Sequence, residues 1–386
     1  MIELCQMSLC TGCGACYNAC PHNSIEMVPS IGEGFLYPRI NQSSCISCGV
    51  CVKSCPILTP PSKSDVPEVC AAWNTDDSIR QSSSSGGMFL TLALEIIAHG
   101  GAVYGVVLSE DGTAYHRRAD SIAGLKPMQG SKYVQSDVGK SYNDALADLK
   151  HGLPVMFTGT PCQIAGFRSF LGKRQFNDLL LVDIVCHGVP SNALFRDYLN
   201  KLEIEWAGIL DKSSFIFREL DAWGISPSVK LTDGKRHKIP LEKDMYMRNF
   251  LSSYTFRESC YNCKFSNTPR VSDITIADFW GIGSERPFKE DTKKGCSLVL
   301  INTVVGKRFV QNVKDNIFIE RRTLNEAMLI NHQLYRSSKR PRQRNGVYSY
   351  CFNHSIDEVY RHFYNMPYHK LRHIGGRILR FLRILK

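Results

Sequence analysis

The sequence has no long apolar run. No stretch reaches the about 18 uncharged apolar residues that a membrane-spanning helix requires, and the most apolar segment, residues 90–98, carries Glu95. The N-terminus does not show the basic segment followed by an apolar one that marks a secretory signal. These two absences predict a cytoplasmic protein that does not cross a membrane.

Residues 1–320 also lack an excess of positive or negative charge. Of the 47 Lys/Arg and 36 Asp/Glu residues, 14 and 3 lie in residues 321–386, so the remaining 33 of each sign balance. The net charge of +11 therefore belongs to the tail. Because the body is neutral, the composition does not indicate a nucleic-acid-binding protein.

Cysteine, in contrast, is abundant, with 16 residues. A disulfide framework is typical of small secreted proteins, and this chain is long and shows no signal. Two runs with the spacing Cys-x-x-Cys-x-x-Cys-x-x-x-Cys-Pro lie 35 positions apart: Cys10, Cys13, Cys16 and Cys20, then Cys45, Cys48, Cys51 and Cys55. This is the spacing of bacterial ferredoxins that hold two 4Fe-4S clusters.

The spacing also predicts which cysteines share a cluster. Three cysteines two residues apart wrap one cluster, and the fourth, followed by Pro, ligates the other. The predicted sets are Cys10, Cys13, Cys16 and Cys55 for one cluster, and Cys45, Cys48, Cys51 and Cys20 for the second. Zinc is the disfavoured alternative, because structural zinc sites use cysteine pairs on separate knuckles. Cys5 fits neither set and is expected to be an ordinary thiol.

Composition divides the chain into five parts. Residues 1–58 form the predicted ferredoxin module and the polar, Pro-rich residues 59–67 a linker. A mixed α/β body follows as residues 68–150 and 151–320, and residues 321–386 form a basic helical tail. Within the body, hydrophobic periodicity predicts strands at 102–108, 153–158, 179–185, 215–217, 274–277 and 298–302, and helices at 88–99, 141–150 and 192–206. The predicted fold class is α+β.

The segment at 80–87 is rich in serine and ends in two glycines before the predicted helix at 88–99. Amides and hydroxyls at such a helix start suit the phosphate of a nucleotide or flavin. On the residues alone, a flexible linker that caps the helix is the favoured interpretation.

Four further cysteines have metal-type settings. Cys162 and Cys186 each follow a predicted strand, and Cys260 and Cys263 form a Cys-x-x-Cys pair. Together they suit a third 4Fe-4S cluster or one zinc ion. The alternative is two core cysteines and a separate redox or zinc pair. His187 is a candidate proton donor or a structural hydrogen-bonder, and residues 278–281 line a ring-binding pocket or form a core aromatic pair.

Taken together, the body motifs resemble the coenzyme F420 hydrogenase/dehydrogenase beta-subunit family, in the version with an N-terminal two-cluster ferredoxin module. The segments that carry the resemblance are 83–87, 130–136, 159–163, 186–188, 260–263 and 273–281. The resemblance implies FAD, faced by Ser84, Ser85, Gly86 and Gly87 with Lys132 close by. It also implies that Cys162, Cys186, Cys260 and Cys263 ligate a third 4Fe-4S cluster.

The function implied is an iron–sulfur flavoprotein oxidoreductase. Clusters carry single electrons and a flavin exchanges them with two-electron partners, so the partner is a redox protein or a reduced coenzyme, deazaflavin or another. Family members also occur beside exopolysaccharide genes, which adds exopolysaccharide biosynthesis as a predicted role. His187 and Lys132 are the candidate catalytic residues. The rival is a cluster-only electron carrier that serves a partner oxidoreductase, and a zinc-containing nucleic-acid binder is a second rival.

The end of the tail has an amphipathic pattern. Over residues 374–386, one side of a predicted helix is apolar and consists of Ile374, Ile378, Phe381, Leu382 and Leu385. Arg380, Arg383 and Lys386 lie on the opposite side, and Arg377 lies at the border. Such a helix binds the anionic inner face of a membrane or docks on protein.

If residues 370–386 bind anionic lipid, their deletion abolishes sedimentation of the protein with vesicles that contain anionic lipid. The reason is that both the apolar face and the positive charges are lost. Sedimentation with and without the segment measures this, and equal pelleting of the two proteins rules the membrane out.

Overall fold

The computed structural model describes residues 2–218 and 225–364. The amphipathic segment 370–386 lies outside the described residues. No helix in the described part of the chain is long and apolar enough to cross a membrane.

The N-terminal module consists of two short helices and one hairpin. Its elements are α1 (Ala15–Ala19), β1 (Ile25–Pro29), β2 (Leu36–Ile40) and α2 (Val50–Lys53). The strands pair antiparallel. Each helix starts after a glycine in the left-handed region, Gly14 with φ 74° and Gly49 with φ 73°. Because glycine adopts this conformation without steric cost, both cysteine runs turn into a helix at the same point of the motif.

The body alternates strands and helices. In its first half the elements are β3 (Glu68–Asn74), α3 (Asp77–Gln81), α4 (Met88–Ala98), β4 (Ala102–Leu108), β5 (Ala114–Ala119), α5 (Ile122–Leu125), α6 (Ser141–Lys150), β6 (Val155–Gly159), α7 (Pro161–Leu171), β7 (Leu179–Ile184) and α8 (Asn192–Trp206). In its second half they are β8 (Leu210–Ile216), β9 (Ser228–Leu231), β10 (Arg236–Lys238), α9 (Met245–Leu251), β11 (Ile274–Asp278), β12 (Ser297–Ile301), α10 (Val304–Asn312), β13 (Ile317–Arg322), α11 (Leu324–Met328), α12 (Val347–Asn353) and α13 (Ile356–Tyr364).

Eight of these strands form one mixed sheet in the order β13-β3-β12-β11-β7-β6-β4-β5. The four central strands β11, β7, β6 and β4 are parallel neighbours, and the remaining pairs are antiparallel. A smaller antiparallel sheet has the order β10-β9-β8. The carboxyl ends of β6, β7 and β11 therefore meet at one edge, where ligands of α/β proteins commonly bind.

Both faces of the large sheet are covered. Successive residues of a strand point to opposite faces, so Leu180 packs in the cluster that contains Leu92 of α4, while Leu181 packs with Phe167 of α7. The cluster around Phe167 also includes Cys13 of the N-terminal module. The module is therefore built onto the core of the body.

The predicted fold class is confirmed, and several elements match the sequence-based expectation to the residue. The strand at 102–108 and the helices at 141–150 and 192–206 have the predicted bounds. The expected strand at 215–217 is only the end of β8.

The described part of the tail packs on the body, with the side chain of Cys351 fully buried. The linker at 59–67 also contacts the body, because the Ser64 amide donates to the Arg270 carbonyl at 2.8 Å.

A close contact positions the hairpin of the module against the first turn of α8. A Cβ atom added at Gly34 would lie 2.2 Å from the Cβ of Ala193. Gly34 has φ +73°, and Gly32 in the same loop has φ +79° with nothing within 4 Å of an added Cβ.

Gly34→Ala is expected to destabilise the protein by about 1–3 kcal/mol more than Gly32→Ala, because only the former overpacks a contact. Both substitutions place a side chain at positive φ, so that cost is shared. Anaerobic urea unfolding of the two variants measures the difference. An equal loss of stability in both would contradict the close contact.

Candidate functional site

Each of the two N-terminal pockets is lined by four cysteines of the two motif runs. Pocket 1 has a volume of about 410 Å³, its mouth included, and is lined by Cys10, Cys13, Cys16 and Cys55. Pocket 2 has about 330 Å³ and is lined by Cys20, Cys45, Cys48 and Cys51. Each pocket thus combines the triplet of one run with the last cysteine of the other.

The two helices explain how the fourth cysteine crosses. Cys16 lies in α1 and faces pocket 1, whereas Cys20 follows the end of α1 and faces pocket 2. Cys51 in α2 and Cys55 beyond it have the reverse arrangement. One short helix therefore spans the gap between the pockets in each run.

The donor set of each pocket suits an iron–sulfur cluster. Burial raises the pKa of the Cys16 thiol to about 12, with the neighbouring Cys10 adding to the rise, and it raises that of Cys13 well above the ordinary value. Burial also raises the pKa of Cys51 in pocket 2. Thiols whose pKa is raised in this way favour a metal group that displaces their protons. Within the described part of the chain, no group of three or more His, Cys, Asp or Glu side chains is arranged to hold a single metal ion.

Cys5, which the sequence predicts to be an ordinary thiol outside both ligand sets, also lines pocket 1. Its thiol is half-buried, and burial followed by the neighbouring Cys55 and Cys10 raises its pKa to about 12. It lies five residues before the first run, so no motif spacing could indicate its place beside these thiols.

The body cysteines come from three different segments. Cys162 is the second residue of α7, and Cys186 follows β7. Cys260 lies within the 3₁₀ turn Glu258–Asn262, and Cys263 directly follows that turn. Burial and then the proximity of the other three thiols raise the pKa of Cys186 well above its ordinary value. The structure therefore brings the four together as one group, called here the body cysteine group.

A buried hydrogen-bond network fixes the start of α7. Thr160 and Gln163 form a capping box, and the Thr160 hydroxyl lies 3.2 Å from the Cys162 sulfur. The Gln163 amide nitrogen donates to the Ser136 hydroxyl at 3.0 Å, which lies 3.2 Å from Nδ1 of His116. The other ring nitrogen of His116 donates to the Thr158 carbonyl at 2.9 Å, so the ring is neutral with its proton on Nε2.

Pocket 1 and the body cysteine group share helix α7. A Cβ added at Gly166 would lie 2.9 Å from the sulfur of Cys13. The Tyr142 hydroxyl lies 2.8 Å from the Cys13 carbonyl and 2.7 Å from that of Gln163. One turn of α7 therefore touches pocket 1, and the preceding turn carries Cys162.

Residues 82–87, called here the serine loop, are held by hydrogen bonds on both sides. The Ser85 hydroxyl donates to the Cys296 carbonyl at 3.1 Å, and the Gly86 amide donates to the Ser297 hydroxyl at 2.9 Å. The Ser131 amide donates to the Ser84 hydroxyl at 3.1 Å. Gly87 is the N-cap residue of α4, and no side chain caps the helix.

Lys132 adjoins this loop through Ser131. Its ammonium donates to the carbonyls of Pro127 at 2.8 Å and Gln129 at 2.7 Å. Burial lowers its pKa to about 7. The structure therefore places Lys132 near the serine loop, with its amine already engaged by carbonyl oxygens.

Sequence reasoning missed the charged pair that lies across the sheet edge from the serine loop. Arg218 forms a 2.5 Å ion pair with Asp278, which is opposite Ser297 in the β11–β12 register. Tyr133, next to Lys132, contacts the Arg218 guanidinium. Arg218 stands outside every motif, so only the folded chain identifies it.

The expected aromatic pair divides between core and surface. Phe279 is fully buried, whereas Trp280 is 42% exposed with its ring centroid 5.6 Å from the Arg218 guanidinium carbon. His187 follows Cys186, and desolvation lowers its pKa while the charge of Asp278 opposes the shift. The residues Ser84–Gly87, Lys132, Tyr133, Arg218, Asp278, His187 and Trp280 are called here the edge cleft.

Two family models match the chain. Residues 9–57 match the 4Fe-4S dicluster domain, and residues 153–327 match the C-terminal part of the beta subunit of coenzyme F420 hydrogenase/dehydrogenase. The chain thus joins a dicluster domain to an F420 hydrogenase/dehydrogenase beta-subunit domain. This confirms the family resemblance and places the chain among iron–sulfur oxidoreductases. The range matched by the dicluster domain contains the eight motif cysteines of pockets 1 and 2, and the range matched by the beta-subunit model contains the body cysteine group.

One similar solved structure is a chain of the F420-reducing NiFe hydrogenase complex from Methanosarcina barkeri. It is 15% identical, and the match covers 79% of this chain and 94% of that chain with a TM-score of 0.48. At this level the match carries no information about ligands or activity. A comparison with curated proteins found no match.

His116, which supports the start of the beta-subunit domain, gives that region a defined pH dependence. Burial lowers its pKa to about 4, below the about 6.5 of an unfolded histidine. Because the folded pKa is the lower one, the unfolded chain binds the proton first as the pH falls. Stability is therefore lost between pH 6.5 and 4.

Lowering the pH from 7.5 to 5 is expected to cost the wild type about 2 kcal/mol more stability than His116→Gln. Glutamine retains a donor and an acceptor but does not titrate. Urea unfolding at both pH values measures the difference. Parallel losses in the two proteins would show that His116 is not the titrating group.

Proposed function

We propose that the protein is a flavin-dependent electron-transfer subunit with three 4Fe-4S clusters, in pocket 1, pocket 2 and the body cysteine group. The single observation that carries this is the grouping of eight cysteines into two sets of four, each drawn from both runs. A zinc knuckle requires no such exchange. The matched dicluster domain supports the same ligands.

The order of the three sites follows from packing. Pocket 1 touches α7 through Cys13 and Gly166, and α7 begins beside Cys162. Pocket 2 lies at the far end of α1 and α2, and Cys48 there is exposed. Electrons therefore pass between the body cysteine group, pocket 1 and pocket 2 in that order, in either direction. Pocket 2 faces the partner redox protein.

The edge cleft is the proposed FAD site. Within residues 2–218 and 225–364, the backbone N–H groups of Ser84, Ser85 and Gly87 have no hydrogen-bond acceptor. Free amides at the start of α4 suit an anion such as a flavin diphosphate. Trp280, whose ring lies over the Arg218 guanidinium, supplies exposed aromatic surface at the same sheet edge. A bound flavin supplies exchange between one-electron and two-electron partners.

His187 and Lys132 remain the candidate catalytic residues. His187 links the cleft to the body cysteine group because it directly follows Cys186. Its lowered pKa favours a neutral ring that accepts a proton. The reduced coenzyme, deazaflavin or another, would meet the flavin in this cleft. The role in exopolysaccharide biosynthesis stays a prediction.

Anaerobically reconstituted protein is expected to hold about twelve iron and twelve sulfide per chain, as three 4Fe-4S clusters require, and one acid-released FAD. Metal analysis, sulfide assay and low-temperature paramagnetic resonance after dithionite measure this. A full iron load without flavin would instead establish the cluster-only electron carrier. Zinc without sulfide would defeat the proposal.

Single substitutions separate the sites. Cys55→Ser and Cys20→Ser are each expected to lower the iron content by about four, because each removes one ligand from a different pocket. Cys5→Ser, which removes a sulfur from pocket 1 outside the proposed ligand set, is the matched control and keeps the full load. Loss of a cluster in Cys5→Ser would overturn the assignment of Cys55.

A further inference from the structure

Arg257 is a buried cation that lies between pocket 1 and the body cysteine group. It is 1% exposed. Its backbone amide donates to the Val189 carbonyl at 2.9 Å, and its own carbonyl accepts from the Cys260 amide at 2.9 Å. Val189 lies three residues after Cys186, so the Arg257 backbone joins two loops that carry body cysteines.

The side chain of Arg257 extends from there into the N-terminal module. Nε donates to the Cys10 carbonyl at 2.7 Å, and Nη2 donates to the Leu36 carbonyl at 3.0 Å. Nη2 also lies 3.9 Å from the sulfur of Cys10. A Cβ added at Gly12 would lie 2.8 Å from Nη1. The first cysteine loop therefore packs closely against the guanidinium.

No carboxylate within the described ranges pairs with this charge. The remaining donor, Nη1, donates to the amide oxygen of Gln135 at 3.1 Å, and the guanidinium carbon lies 4.0 Å from the ring centroid of Tyr37. Two other buried arginines that lie near cysteine segments have acidic partners, in the pairs Arg270–Asp183 and Arg344–Glu33. Buried Arg80 is held by backbone carbonyls instead. A buried charge without a counter-ion is costly, and here the nearest candidates for one are the thiolates of pocket 1.

We propose that Arg257 is a fixed positive charge shared by pocket 1 and the body cysteine group, and that it raises the reduction potentials of the clusters held there above that of pocket 2. The inference rests on the proposed function. Addition of one electron makes a cluster more negative, and a buried cation nearby stabilises that state. None of the residues that line pocket 2 contacts Arg257, so we expect its effect there to be the smallest of the three. Arg257 is a positioning and tuning residue, since it ligates nothing.

The test is a paramagnetic-resonance potentiometric titration of wild type and variants under anaerobic conditions. In Arg257→Met, two of the three potentials are expected to fall by about 59 mV or more, the one-electron equivalent of a tenfold change. The third potential is expected to remain unchanged. Cys48→Ser, which removes a ligand of pocket 2, is expected to lose the signal with this potential, and that loss assigns the potential to pocket 2. Arg257→Lys, which retains the charge, is expected to have potentials close to those of the wild type.

Gln135→Glu tests the same charge without truncating Arg257. It places a carboxylate on Nη1 and is expected to lower the same two potentials, so it decides the question if Arg257→Met fails to load its clusters. The control is the double variant Glu33→Gln/Arg344→Met. It removes an ion pair whose charges cancel and which, like Arg257, connects the module to the body. It is expected to leave all three potentials in place.

The failures are distinguishable. Wild type without clusters overturns the proposed function. Fully loaded variants with unchanged potentials, or an equal shift of all three, overturn only the role of Arg257. A Lys variant that behaves like Met shows that the lost hydrogen bonds, and not the charge, matter.

Discussion

The contact between Cys13 and Gly166 is the constraint that sets pocket 1 beside the body cysteine group. Glycine at that position lets the first cysteine loop lie directly on α7, and a methyl group there would lie 2.9 Å from sulfur. Because the first turn of α7 presents Cys162, the same helix positions a thiol of each group. The close packing of protein interiors makes such a contact sensitive to a single added carbon.

The parallel centre of the sheet positions the rest of the chemistry. Cys162, Cys186 and Asp278 lie at or just beyond the carboxyl ends of β6, β7 and β11, which are neighbours in the sheet. His187 directly follows Cys186, and Asp278, which pairs with Arg218, is opposite Ser297, the residue that holds the Gly86 amide. One edge therefore holds both the body cysteine group and the edge cleft. This proximity is what a flavin needs to exchange electrons with a cluster.

Charge inside the protein is distributed differently from charge in the sequence. The excess of Lys/Arg lies in residues 321–386, yet Arg344 from that segment is buried against Glu33 of the module. Arg257 comes from the neutral part and has no acidic partner in the part of the chain that the structure describes. The electrostatics near the cysteines thus depend on two buried arginines, one neutralised and one not.

The sequence by itself determined the features that depend on local spacing. Two cysteine runs, the bounds of β4, α6 and α8, and the candidate ligands Cys162, Cys186, Cys260 and Cys263 could all be read from it, because periodicity and motif spacing are encoded over a few residues. The place of Cys5, the clamped serine loop, and the roles of Arg218 and Arg257 could not. Each depends on segments up to 247 residues apart that meet only in the folded chain. Only the tertiary structure decides which buried charges lie beside which sulfur atoms, since burial and proximity are properties of packing and not of order along the chain.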